Sequence, residues 1–99
     1  MRLPVLVEVR WRENGERDRH VAALSELSEG GALLLTDAGL QVGSEIIIEI
    51  TPPGAALALE ILAIVRNASN DEGLGLEFVA RDMGGVHRLR EVIRRIVEQ

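Results

Sequence analysis

Apolar and polar residues alternate with a period of two through most of this chain and change to a period of three to four near its end. Val5, Val7, Val9 and Trp11 alternate with Leu6, Glu8, Arg10 and Arg12, the pattern of a strand with one buried face. Asn14-Gly15 follows, a pair that tolerates positive φ and marks a hairpin, so a second strand is expected to return over residues 17–24. Residues 25–31 read as a turn and 32–35 as a short third strand. After a loop over 37–43, Ile46, Ile48 and Ile50 alternate with Glu45, Ile47 and Glu49 in a fourth strand over 45–51. Pro52-Pro53-Gly54 ends it, because proline cannot donate to a ladder. The fifth strand, over 56–67, carries Leu57, Leu59, Ile61 and Val65 on one face, with Glu60, Leu62, Ile64 and Arg66 on the other. A polar turn over 67–73 leads into the last strand, where Leu74, Leu76 and Phe78 alternate with Gly75 and Glu77.

Beyond Asp82 the period lengthens. Val86, Leu89, Val92, Ile93 and Ile96 recur at three- and four-residue steps with arginines between them, which predicts an amphipathic helix. Asp82 is placed to cap it, while Gly84-Gly85 weaken its first turn. Six short strands joined by tight turns and followed by one helix give a mainly β fold, a six-stranded antiparallel barrel with one C-terminal helix that plugs or flanks it. At 99 residues the chain suits a single domain over 1–99 and has no material for a second core.

Composition narrows the function classes. Apolar residues make up 46% of the chain, which excludes intrinsic disorder, yet the only aromatics are Trp11 and Phe78. The net charge is −5 and every basic residue is arginine. Residues 21–50 contain five acids and no base, whereas 1–20 balance to +1 and 83–99 to +2. An acidic chain so poor in aromatics does not suit binding to polymeric nucleic acid. The lack of cysteine removes disulfides and thiolate metal sites. With no charged-then-apolar leader and no apolar run long enough to span a bilayer, a cytoplasmic location without membrane insertion is the default.

No catalytic or metal-binding constellation emerges. His20 and His87 stand on a strand and on the helix, with neither cysteine nor a paired-carboxylate motif near them, and Ser25 and Ser28 have no local base. Gly73-Leu74-Gly75 lacks the third glycine and the helix start of a dinucleotide loop. It reads instead as small residues where another backbone approaches a strand. No enzyme and no cofactor is expected.

One segment is more specific. Glu26-Leu27-Ser28-Glu29-Gly30-Gly31 follows a hairpin and leads into Ala32-Leu33-Leu34-Leu35. Here, and in Val42-Gly43-Ser44, the 59–66 strand, Gly73-Leu74-Gly75-Leu76-Glu77-Phe78 and the terminal helix, the chain resembles the PilZ family, bacterial receptor domains for cyclic di-GMP. That family carries Asp/Asn-x-Ser-x-x-Gly at this place and an Arg-x-x-x-Arg motif some two dozen residues upstream. The resemblance implies a barrel whose arginines clamp phosphates and guanine edges, while the motif supplies a carboxylate, a hydroxyl and a glycine that lets the ligand approach.

The match is incomplete. Arg2 stands where the second arginine falls, the first would precede Met1, and Glu26 replaces Asp/Asn while Ser28 and Gly31 agree. A charge-assisted hydrogen bond contributes about 1.5–3 kcal/mol. One missing arginine therefore weakens binding by roughly 10- to 100-fold. The expectation is a degenerate PilZ-like adaptor working through a protein partner in motility or surface behaviour, with weak or no nucleotide binding. The alternative is a working receptor that uses Arg2, Ser28, Gly31 and nearby arginines (Arg10, Arg12, Arg17 and Arg19). Those arginines otherwise form a solvated face with Glu8, Glu13, Glu16 and Asp18. Ile47, Leu62 and Ile64 lie opposite the core stripe and are either covered by the terminal helix or offered to a partner. The helix's own apolar residues pack on the barrel or against a second copy, giving a monomer or a homodimer.

Overall fold

The computed structural model describes residues 6–28, 30–51, 54, 56–69, 73–79, 91 and 94. They form six strands: β1 (Val7–Glu13), β2 (His20–Ser25), β3 (Gly31–Leu35), β4 (Glu45–Ile50), β5 (Leu59–Ser69) and β6 (Gly73–Val79). All pairings are antiparallel in the order β1-β2-β3-β6-β5-β4, and β4 returns to β1, so the barrel is closed. Closure removes the unpaired strand edges at which an open sheet of this size would add another chain.

The period-two pattern becomes the inside of the barrel. Val9 and Trp11 of β1, Leu24 of β2, Leu34 of β3, Ile46, Ile48 and Ile50 of β4, and Leu74, Leu76 and Phe78 of β6 all point inward and are buried. No polar or charged side chain among the described residues joins them. Burying an Ile or Leu side chain contributes about 1.5–3 kcal/mol, so the three β4 isoleucines form a main source of cohesion. Leu27 lies in the β2–β3 turn, yet it is fully buried and anchors that turn in the core.

Several boundaries differ from the sequence expectation. Arg17 to Arg19 are not in a strand, because β1 outruns β2. Trp11 is the last residue of β1 to pair with β2, at His20, while Arg12 and Glu13 pair only with β4. The Asn14-Gly15 turn closes on Glu16 N–H donating to the Glu13 carbonyl (2.9 Å), with positive φ at Gly15 (95°) but not at Asn14. That is the signature of a type II turn, not the type I′ turn of a two-residue hairpin.

Leu57 does not belong to the core. β5 begins at Leu59, and Leu57 is 82% exposed. At its other end β5 runs on through Ser69, where a polar turn was expected, because Asn67, Ala68 and Ser69 pair with Gly75, Leu74 and Gly73. Val65 opposes Leu76 and Asn67 opposes Gly75, which leaves Arg66 as the extra residue of a β-bulge.

Glu91 and Arg94 are helical and joined one turn apart by an ion pair of 2.7 Å. The rest of the expected C-terminal helix, like Arg2, lies outside the described residues. Among the described residues no helix is long and apolar enough to cross a membrane.

Candidate functional site

A cleft of about 690 Å³ opens where the β2–β3 turn lies against β6 and the bulged end of β5. Three of the four ligand residues expected from the sequence, Glu26, Ser28 and Gly31, line it together. Arg2, the fourth, is outside the described residues.

Each of the three has a structural duty. Glu26 adopts a left-handed backbone with φ of 50°, alone among the described non-glycine residues. Asparagine and aspartate occupy that region more readily than glutamate does, so the turn itself favours the shorter side chain at this position. Ser28 closes the turn. Its N–H donates to the Gly31 carbonyl at 2.9 Å, and its hydroxyl both donates to that carbonyl (3.2 Å) and accepts from the Gly31 N–H (3.3 Å). Gly31 sits directly against β6, since a Cβ there would fall 2.0 Å from the Leu76 carbonyl oxygen. The glycine thus gives room to a neighbouring strand, not only to a ligand. Gly30 completes the attachment by accepting the Phe78 N–H at 2.9 Å.

Gly73 matches the close-approach reading of its segment, because a Cβ there would lie 2.3 Å from the Leu34 carbonyl oxygen. Gly75 faces the Asn67 side chain across the bulge. Close approach of β3, β6 and β5, permitted by three small residues, gives the cleft its floor.

The charge of the cleft comes from the opposite wall. The bulge aims Arg66 at Glu77 of β6, and the guanidinium Nε donates to the carboxylate at 2.6 Å with both side chains about half exposed. Among the described residues the lining holds one guanidinium, engaged with Glu77, and two carboxylates, Glu26 and Glu77. Arg66 was legible in the sequence only as a lone base on the outer face of the fifth strand. The signal that could have singled it out is the break in alternation at Val65-Arg66-Asn67, where two polar residues succeed each other.

The arginines considered as substitutes lie elsewhere. Arg12 reaches Glu60 of β5 at 3.4 Å and the Glu16 carbonyl, and Arg19 grips both oxygens of Glu49 on β4, the shorter contact being 2.9 Å. Hydrogen bonding to Glu49, then its negative charge, holds the Arg19 guanidinium above its usual pKa. Arg12 and Arg19 serve the β1–β4–β5 wall, away from the β3–β6 side that carries the cleft. Both are paired, but their carboxylates come from β5 and β4 and not from the neighbouring hairpin, and Arg10 and Arg17 are exposed without an ion pair among the described residues. Antiparallel pairing across the closed barrel brings those strands nearer than the sequence neighbours. Ile47 and Leu62 are cross-strand partners on the outer surface, with Ile64 two residues further along β5, and all three are partly buried.

A model of the PilZ domain family matches residues 1–99. The chain belongs to the PilZ domain family. PilZ domains are regulatory binding domains of bacterial signalling, the class that receives cyclic di-GMP. Among solved structures, the PilZ domain of CeSA from a cellulose-synthesizing bacterium is similar with a TM-score of 0.77 at 20% identity, covering 100% of this chain and 99% of that one. The Bacillus subtilis inhibitor of motility MotI/DgrA is similar with a TM-score of 0.65 at 20% identity, covering 99% of this chain but 50% of that one. Likeness at this identity concerns the fold. Comparison with curated protein sequences gave no match. On this PilZ barrel the Ser28–Gly31 turn occupies the rim of the cleft, so the motif and the cleft are one site.

Proposed function

We propose that this PilZ domain is a non-enzymatic regulatory adaptor that acts through protein–protein contacts in motility or surface behaviour and holds cyclic di-GMP weakly or not at all. The carrying observation is the charge of the cleft, where the one guanidinium among the described lining residues, that of Arg66, is paired with Glu77 at 2.6 Å. A ligand with two phosphates would have to displace Glu77 from Arg66 and then sit beside the released carboxylate. Two unit charges 4 Å apart interact by about 1 kcal/mol in water and about 4 kcal/mol near a protein surface. That repulsion alone removes about tenfold or more from the affinity of a site whose guanidinium is free. The motility reading is supported by the fold shared with MotI/DgrA, and the adaptor reading by the family's regulatory character.

A second reading is a working receptor that uses Arg2, Ser28 and Gly31. One observation favours it: Ser28, Gly31 and Arg66 border the same open cleft. Titration calorimetry with cyclic di-GMP separates the two. The adaptor reading expects a dissociation constant weaker than about 10 µM that is unchanged by Arg2→Ala. Micromolar or tighter binding that Arg2→Ala abolishes would establish the receptor instead.

A further inference from the structure

The outer face of β2 and β3 carries an apolar strip in contact with water. Val21 is 66% exposed and Leu35 38%, while Ala23, which pairs with Leu35, and Leu33 complete the strip and are partly exposed. Single apolar side chains on a surface are ordinary, but several on one face of two neighbouring strands mark a contact surface. Sequence patterning missed it, because it placed the spare apolar residues at Ile47, Leu62 and Ile64, which are less exposed.

The border of the strip says what it fits. Register places Arg10 beside Val21 and Glu8 beside Ala23, so both charges stand on the same outer face. Arg12, Arg19 and Arg66 each reach a carboxylate, whereas neither Arg10 nor Glu8 has a side-chain partner among the described residues. The resulting two-by-two pattern is complementary to itself. A two-fold axis lying in the interface and crossing the strands between these rows sets Arg10 against Glu8 of the partner subunit, and the reverse. The same operation sets Val21 against Ala23 of the partner subunit, a larger apolar group over a smaller one. Isologous interfaces are built from such reciprocal contacts.

We infer that a second copy of this chain docks on the β1–β2–β3 face through Val21, Ala23 and Leu35, with Arg10 and Glu8 pairing reciprocally across the two-fold axis. A standard interface takes about 800 Å² from each partner. That is about an eighth of this molecule's 6420 Å² surface, within reach of one barrel face. Leu33 borders both the strip and the cleft, so the second copy stands beside the candidate ligand site. The inference does not depend on whether that cleft takes a nucleotide.

Sedimentation velocity of the full chain at low salt, from about 1 to 500 µM, tests it. A concentration-dependent dimer is expected. Arg10→Glu should weaken it about tenfold or more, because both reciprocal pairs become repulsive. Combining Glu8→Arg with Arg10→Glu should restore it to within about threefold, since the swap regenerates the same pairs in reverse. Val21→Glu should leave a monomer with an unchanged melting temperature, because Val21 contributes little to the core. A monomer over the whole range would overturn the inference. So would a dimer that tolerates Val21→Glu, or an Arg10→Glu defect that the charge swap fails to repair.

Discussion

Gly30 and Gly31 are adjacent in the sequence, and alanine at each should have opposite consequences. At Gly30 a Cβ would meet nothing within 4 Å, and the backbone is not left-handed. At Gly31 it would lie 2.0 Å from the Leu76 carbonyl oxygen, where ordinary contact begins at 3.4 Å, so β6 must withdraw by more than an ångström. The Phe78 N–H to Gly30 carbonyl bond is 2.9 Å long and does not survive such a movement. Overpacking costs about 1–3 kcal/mol and each lost hydrogen bond about 1 kcal/mol, giving roughly 2–4 kcal/mol for Gly31→Ala. Urea unfolding followed by circular dichroism reads this directly. With a slope of about 1–1.5 kcal/mol/M for a small domain, the midpoint should fall by roughly 2 M. Gly30→Ala should instead lie within about 0.5 kcal/mol of the parent or slightly above it, through reduced entropy of the unfolded chain. A Gly31→Ala variant as stable as the parent would refute the assignment of this glycine to barrel closure. So would equal losses at the two positions.

Ser28→Ala removes the hydroxyl that spans the Gly31 N–H and carbonyl, and should cost about 1 kcal/mol, seen as a melting temperature lower by about 4–8 °C. Glu77→Gln releases Arg66 and removes one negative charge from the cleft. Calorimetry should show cyclic di-GMP binding strengthened by about tenfold, with the melting temperature nearly unchanged because the Arg66–Glu77 pair is half exposed. Ile48→Ala, in the fully buried stripe of β4, should destabilise by about 2–5 kcal/mol in the same urea assay.

The barrel was legible because burial on one face imposes a strict two-residue repeat, and Ile46, Ile48 and Ile50 display it without interruption. The long loop after β1 was less so. Asn14-Gly15 announces a turn, but it does not reveal that Arg12 and Glu13 leave β2 for β4, which depends on how the barrel closes. The bulge at Arg66 was hidden for a similar reason, since an unpaired residue is defined by the partner strand and not by its own neighbours. Ser28 and Gly31 were found as candidate ligand residues, and they do line the cleft. Their structural duties became visible only in three dimensions, through the hydroxyl clasp and the approach of Leu76. The acidic partners of Arg12 and Arg19 lie far off in sequence, so local charge spacing pointed to the wrong carboxylates.

The proposed weak binding of cyclic di-GMP rests on a cleft whose described guanidinium, that of Arg66, is held by Glu77 and whose Ser28 hydroxyl is engaged in closing the turn. The amide correlation spectrum of nitrogen-labelled protein, recorded as cyclic di-GMP is added, tests this at the site itself. At about 10 µM free ligand the amide signals of Ser28, Gly31, Arg66 and Gly75 should have moved by less than half of their full displacement, corresponding to a dissociation constant weaker than about 10 µM. Saturable displacement of those same signals at a submicromolar dissociation constant would contradict it.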